Sequence, residues 1–220
     1  MPVSKRDRVI HTSKVKKHDK SEKNDQIDLV RSSIQEMRYT YVVSISNERN
    51  NILKAVRDEL KPGKMFYSKN KLVQVALGFS PDSECAEGIH ALTPLISGHV
   101  ALVTSNLCPN DLATLLSAHE EAEFARAGGV ATHTIELEAG FDALASFPFS
   151  METQLRKLGL PTMLHDGKIK LLANHTVCTE GEELTAAQAQ VLKLMRIQMA
   201  KFEIRIQAVY DRESNKVSTM

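Results

Sequence analysis

The sequence predicts an α/β fold: a mixed sheet with helices packed on it, interrupted by a smaller inserted α+β domain and preceded by a basic N-terminal arm. Three observations carry that reading. Apolar runs of strand length alternate with stretches of helical periodicity as far as residue 127. The pattern then breaks at Ala127-Gly128-Gly129 into short irregular elements and resumes near residue 184 with a helix and a strand. Ahead of both, residues 1–24 carry eight lysines and arginines against three acids, with few residues fit for a core. The boundaries follow: an arm over 1–24, a main domain over 25–127 and 184–210, an inserted domain over 128–183, and a polar tail over 211–220.

The first helix is predicted by Ile27, Val30, Ile34 and Met37, which recur at helical spacing. Residues 39–46, rich in Tyr and β-branched side chains, suit a buried strand. Asn50 is a fitting N-cap for a second helix, whose inner face is Ile52, Leu53, Val56 and Leu60 and which stops at Pro62-Gly63. Residues 64–67 form a short strand, and residues 72–77 a short helix closed by Gly78. Ser80-Pro81-Asp82-Ser83 is a turn, followed by a weaker helical stretch from Glu84 to about Leu95. Residues 100–104 read as a buried strand. Residues 109–123 read as a helix, with Pro109 in its first turn and Leu112, Leu115, Leu116 and His119 inward.

Within the irregular block, residues 134–138 suit a strand. Ser150 caps a short helix that Gly159 closes. Asp166-Gly167 marks a two-residue hairpin turn within 162–172. The resumed pattern opens on a capping box, Thr185-x-x-Gln188. The closing strand alternates, with Phe202, Ile204, Ile206, Ala208 and Tyr210 on one face.

The chain has 220 residues, 42% hydrophobic and 25% charged, enough for one large core or two small ones. Its net charge of +1 argues against a uniformly basic nucleic-acid binder, so the distribution of charge matters more than the sum. No apolar run is long enough to span a membrane, and the N-terminus opens with charge rather than the apolar stretch of a signal peptide. Cys85, Cys108 and Cys178 lie far apart, without C-x-x-C spacing. That reads as reduced intracellular thiols and no zinc site.

Nothing in the chain points to an enzyme or a cofactor. The phosphate-binding, dinucleotide and nucleophile-elbow glycine motifs are absent. His119-Glu120-Glu121 resembles part of a zinc-protease helix but lacks its second His, and a half-buried helical histidine explains it as well. The arm is a better lead. Lys5, Arg6, Arg8, Lys14, Lys16 and Lys17 suit phosphate neutralisation, or else a solvated tail or nuclear-import signal. A second lead is Ser68-Lys69-Asn70-Lys71, between a strand and a helix start. There helix amides attract phosphate, two lysines add charge, and Asn70 both donates and accepts. The competing reading is a hydrophilic connection without a partner. Arg49 and Arg57 either extend the patch or are plain surface charges, and Lys64 leads into the loop. Low aromatic content, 5% with no Trp, favours recognition of folded RNA by shape and backbone over stacked single strands.

Several blocks in order resemble the mRNA turnover protein four family. They are Met1-Pro2-Val3-Ser4-Lys5-Arg6-Asp7, Lys69-Asn70-Lys71 with Val75-Ala76-Leu77-Gly78, Phe124-Ala125-Arg126-Ala127-Gly128, and Ser150-Met151-Glu152-Thr153-Gln154-Leu155-Arg156. Leu158-Gly159-Leu160-Pro161-Thr162, Val177-Cys178-Thr179-Glu180-Gly181-Glu182 and Gln188-Ala189 with Val191-Leu192-Lys193 follow. The resemblance spans nearly the whole chain. It implies a nuclear and nucleolar large-subunit assembly factor, with shuttling to the cytoplasm left open. Such a factor binds the stalk-base segment of large-subunit rRNA on pre-ribosomal particles, among other assembly factors and beside the neighbouring stalk-base ribosomal protein. It would hold the place of the mature stalk-anchoring protein. It also implies that the arm and the loop at Lys69, Asn70 and Lys71 touch RNA, and that no membrane is involved. The chain ends soon after its closing strand, where the mature relative continues, so no acidic stalk dimers are expected. A mature ribosomal stalk-base protein and an RNA-binding protein of mRNA turnover are the alternatives. The chain departs from the family where relatives carry Gly, at Ser68 and at Arg196. A positive φ at Ser68 would strain the loop, and Arg196 would alter the end of its helix.

Overall fold

The computed structural model describes residues 20–219. Helix α1 (Lys20–Glu36) leads into strand β1 (Tyr39–Ser46), helix α2 (Asn50–Glu59), strand β2 (Lys64–Phe66) and helix α3 (Asn70–Leu77). A 3-10 segment (Ile89–Leu95), strand β3 (Val100–Ser105), helix α4 (Pro109–Ala118) and strand β4 (Glu121–Glu123) follow. Strand β5 (Ile135–Leu137), helix α5 (Glu152–Lys157) and strands β6 (Thr162–His165), β7 (Lys168–Leu171) and β8 (His175–Cys178) come next. Helix α6 (Ala186–Leu194), strand β9 (Ala200–Asp211) and strand β10 (Lys216–Thr219) complete the described chain.

The main sheet runs β10-β9-β1-β3-β2, with β4 added along β9. The α/β architecture stands, but the sheet is not mixed: every pairing within it is antiparallel. The β1–α2–β2 unit supplies two strands of like direction, and β3 slots between them in the opposite sense. Helices cover both faces, so the central strands read as near-continuous apolar runs. Tyr41, Val43 and Val103 pack with Ile52, Leu53 and Val56 of α2 and Leu112 and Leu116 of α4. On the other face Val42, Val100 and Leu102 pack with Val30 and Ile34 of α1 and Val73, Ala76 and Leu77 of α3. Each fully buried large side chain here contributes about 1.5–3 kcal/mol.

Strand β9 does not keep one set of residues on one face. Val42 faces Ala208 while the next residue, Val43, faces Ile206, so Gln207 is a bulge without a partner. The alternation therefore flips. Phe202, Ile204, Ile206 and Val209 join the α2–α4 face, and Ala208 and Tyr210 join the α1–α3 face. The one-faced stripe read from the sequence is corrected accordingly.

Other expectations change for related reasons. The helix over 109–123 stops at Ala118, because Glu121–Glu123 pairs with β9 instead. Lys216–Thr219, within the supposed polar tail, is a strand along β9. It is reached by a turn in which Asp211 accepts from Glu213 N at 3.1 Å and Ser214 Oγ at 3.2 Å. Arg49, not Asn50, occupies the N-cap position of α2 and makes no side-chain cap. Ser150 is no cap either, since a 3-10 turn (Phe149–Met151) runs directly into α5. Of the stretch from Glu84 to Leu95, only Ile89–Leu95 is helical, as 3-10. The last residues assigned to the arm, 20–24, are the first turns of α1; residues 1–19 lie outside the described residues.

The irregular block folds around its own core. The β5–β8 pair, the β6–β7 hairpin and α5 surround Leu137, Leu155, Leu160, Leu171 and Val177. Asp166 (φ +51°) and Gly167 (φ +73°) form the expected two-residue turn, which needs both residues left-handed. Val191 and Leu192 of α6 join this third core rather than the main sheet. The predicted capping box opens α6: Thr185 Oγ1 accepts from Gln188 N, and the Gln188 side chain accepts from Thr185 N at 2.8 Å. Its end is equally defined. Arg196 takes φ +60°, Ile197 N donates to Leu192 O at 2.9 Å and Arg196 N to Lys193 O at 3.1 Å. That is the glycine-type helix stop, made here with an arginine.

Candidate nucleic-acid interface

Because β1 and β2 run the same way, their ends and the start of β3 gather at one edge of the sheet. Three loops meet there and are bound together. Tyr67 donates its hydroxyl to the carboxylate of Glu48. Ile45 N donates to His99 O at 2.9 Å, and Asn70 Nδ2 donates to Gly98 O at 2.9 Å. Gln74 Nε2 donates to Ile96 O at 2.9 Å one turn further along α3. The hydrogen bond to Glu48, followed by desolvation, pushes the Tyr67 pKa up to about 12.

The loop between β2 and α3 is thus a fixed platform. Ser68 does not take a positive φ: among the described residues only Asn47, Asp166, Arg196 and Asn215 do so without being glycine. The strain foreseen at Ser68 is absent and is found at Arg196 instead. Asn70 spends its amide on Gly98, so it orders the loop and retains only its carbonyl oxygen for a ligand.

Between this platform and α1 lies a groove of about 860 Å³. Lys20 and Lys23 of α1 line one wall, and Lys69 and Lys71 the other, over a floor of Ile27 and Leu72. No carboxylate lines it. The first amides of α3, unpaired within any helix by construction, open beside Lys69 and Lys71. Arg31 holds α1 in place by donating Nε to Ala76 O at 3.1 Å, at the far end of α3. Among the described residues Lys23, Lys69 and Lys71 make no ion pair. Their charge is available to an anionic ligand.

The candidate residues are not all brought together. Ser68, Lys69, Asn70 and Lys71 sit at the groove. Arg49 does not: its Nε lies 3.0 Å from Glu123 and its Nη2 donates to Phe124 O at 2.6 Å, with only 20% of the side chain exposed. Lys64 starts β2 and lies 3.6 Å from Glu36, at the opposite end of α1 from Lys20 and Lys23. Lys5, Arg6, Arg8, Lys14, Lys16 and Lys17 lie outside the described residues. The role of Lys20 and Lys23 as groove walls went unseen in the sequence, though a signal exists. Residues 20, 23, 27, 30 and 34 form one helical stripe, apolar where it meets the core and basic where it leaves it. His119, once a metal-helix lead, ends α4 with Nε2 3.0 Å from Glu59.

Two family models match in tandem. The model of ribosomal protein L10 covers residues 18–121, and that of the insertion domain in the 60S ribosomal protein of the L10 type covers residues 125–197. Ribosome assembly factor mrt4 of Schizosaccharomyces pombe is 32% identical over 99% of this chain and 94% of its own length. The factor of the same name from Neurospora crassa is 34% identical over 100% of this chain and 94% of its length. Large ribosomal subunit protein uL10 of Saccharomyces cerevisiae is 27% identical over 83% of this chain but only 57% of its own length. With two full-length relatives above 30% identity and both parts of the L10 architecture present, the chain belongs to the Mrt4 family of ribosome assembly factors, paralogous to uL10.

Proposed function

We propose that this protein acts in large-subunit ribosome biogenesis by binding the stalk-base segment of rRNA on pre-ribosomal particles, where it holds the place later taken by uL10. The observation that carries the reading is the groove between α1 and α3: four lysines and no carboxylate, in a chain whose charges nearly cancel, on the part that matches ribosomal protein L10. Such a surface recognises phosphates and the shape of a folded RNA rather than base edges. The helix amides at Lys69–Lys71 fix the register, and the basic residues of 1–17 add further phosphate contacts. The neighbouring stalk-base ribosomal protein is the expected companion on the same RNA. A protein acting on nascent particles works in the nucleolus and nucleus. Catalysis is no part of this reading.

The test is binding of the full chain to a stalk-base fragment of large-subunit rRNA across a salt series. Affinity should fall steeply with salt, with roughly 0.7–0.9 added to the logarithmic slope for each phosphate neutralised. The double variant Lys69→Glu/Lys71→Glu should lose binding, and uL10 should displace the unaltered protein from the fragment. Tight binding by the charge-reversed variant, or simultaneous binding with uL10, would overturn the proposal.

A further inference from the structure

A second acid-free concavity lies where the chain passes into the inserted unit. It measures about 590 Å³ and runs between the crossing segment at Arg126 and helix α6. Arg126, Lys193 and Arg196 line it, Ala186 and Ala189 floor it, and no carboxylate contributes. Among the described residues none of the three cations makes an ion pair. Arg126 instead donates Nη2 to the main-chain carbonyl of Glu48 at 3.1 Å. Glu48 is the residue whose carboxylate takes the hydroxyl of Tyr67, and Tyr67 lines the lysine groove. The two concavities are therefore joined, residue to residue, through Tyr67, Glu48 and Arg126.

We infer that the crossover concavity is a second RNA-backbone site, so that one RNA runs from the lysine groove across Glu48 onto α6. The inference rests on the proposed function and extends it to the inserted unit. Charge and continuity favour RNA as the occupant. Seven cations and no acid line the two hollows, in a chain with 28 basic and 27 acidic side chains. The alanine floor keeps side chains out of the way and lets a phosphate ribbon approach α6 closely. Arg196 also holds a left-handed backbone that glycine adopts more readily, and that residue puts a guanidinium on the rim.

The experiment uses the full chain, the stalk-base rRNA fragment and the double variant Lys193→Gln/Arg196→Gly. Glycine relieves the backbone at 196, so a loss of binding in a variant that melts normally is not a folding defect. The expected result is about tenfold weaker binding and a logarithmic salt slope reduced by roughly 1.5, for two lost phosphate contacts. Hydroxyl-radical protection of the RNA should shrink at one flank only. Unchanged affinity, slope and footprint would overturn the inference while leaving the lysine groove as the RNA site. Retained RNA binding with loss of an acidic protein from purified particles would also overturn it, and make the hollow a protein site. If the unaltered protein bound no rRNA fragment at all, the proposed function itself would fall.

Discussion

Tyr67 donates its phenolic hydroxyl to the carboxylate of Glu48, tying the loop after β2 to the loop after β1. The bond holds the proton on Tyr67 up to about pH 12. A tyrosine with a raised folded-state pKa contributes stability that is complete below its ordinary value of 10.0 and is lost as pH rises toward 12. Subtracting the alkaline absorbance titration of Tyr67→Phe from that of the parent should give a phenolate step near 12. A step near 10 would mean that the Glu48 bond does not persist in solution.

Arg49 should matter to the fold and not to RNA. Arg49→Ala removes its contacts to Glu123 and Phe124 and should cost about 1 kcal/mol, since the pair is mostly shielded from water. Denaturant melts would show the loss, while the salt slope of RNA binding stays that of the parent. A shallower slope would return Arg49 to the RNA interface.

Arg196→Gly should raise stability by about 1 kcal/mol, because a left-handed residue that closes a helix is best made by glycine. The midpoint of thermal or denaturant unfolding measures this directly. An unchanged midpoint would show that the arginine side chain recovers the backbone cost through contacts of its own.

Gln207 is dispensable as a side chain and indispensable as a residue. Gln207→Ala should shift stability by no more than about 0.5 kcal/mol. Deleting it would restore strict alternation along β9 and turn either Phe202 and Ile204 or Ala208 and Tyr210 away from their cores. The deleted chain should fail to fold, as circular dichroism and proteolysis would report. A folded deletion variant would disprove the role of the bulge.

What could be read in the sequence was what neighbours in the chain decide. The strand at 39–46, the box at Thr185 and Gln188 and the hairpin at Asp166-Gly167 each depend on a few consecutive residues. The misses share one cause. The face of Ala208, the strand at 121–123 and the strand at 216–219 are set by which strand lies alongside, and no local pattern encodes that. The same holds at the site. Lys69 and Lys71 stood out as a charged loop beside a helix start, whereas Arg49 is drawn off by Phe124, 75 residues away. Lys20 and Lys23 looked like the end of a tail until a helix carried them to the wall of a groove.

Glu123 and Ala200 face each other across the β4–β9 ladder, at the point where the chain departs for the inserted unit and comes back from it. Exit and return are thus adjacent rungs of a hairpin, and a turn of about two residues would close it in the register it already has. Excising residues 124–199 would forfeit the bonds from Arg49 to Phe124 and from Arg126 to Glu48, yet no strand of the main sheet would need rethreading. In genetic terms the inserted unit is a cassette. A single event can add it, remove it or trade it for another, and the sheet that carries the lysine groove keeps its topology throughout.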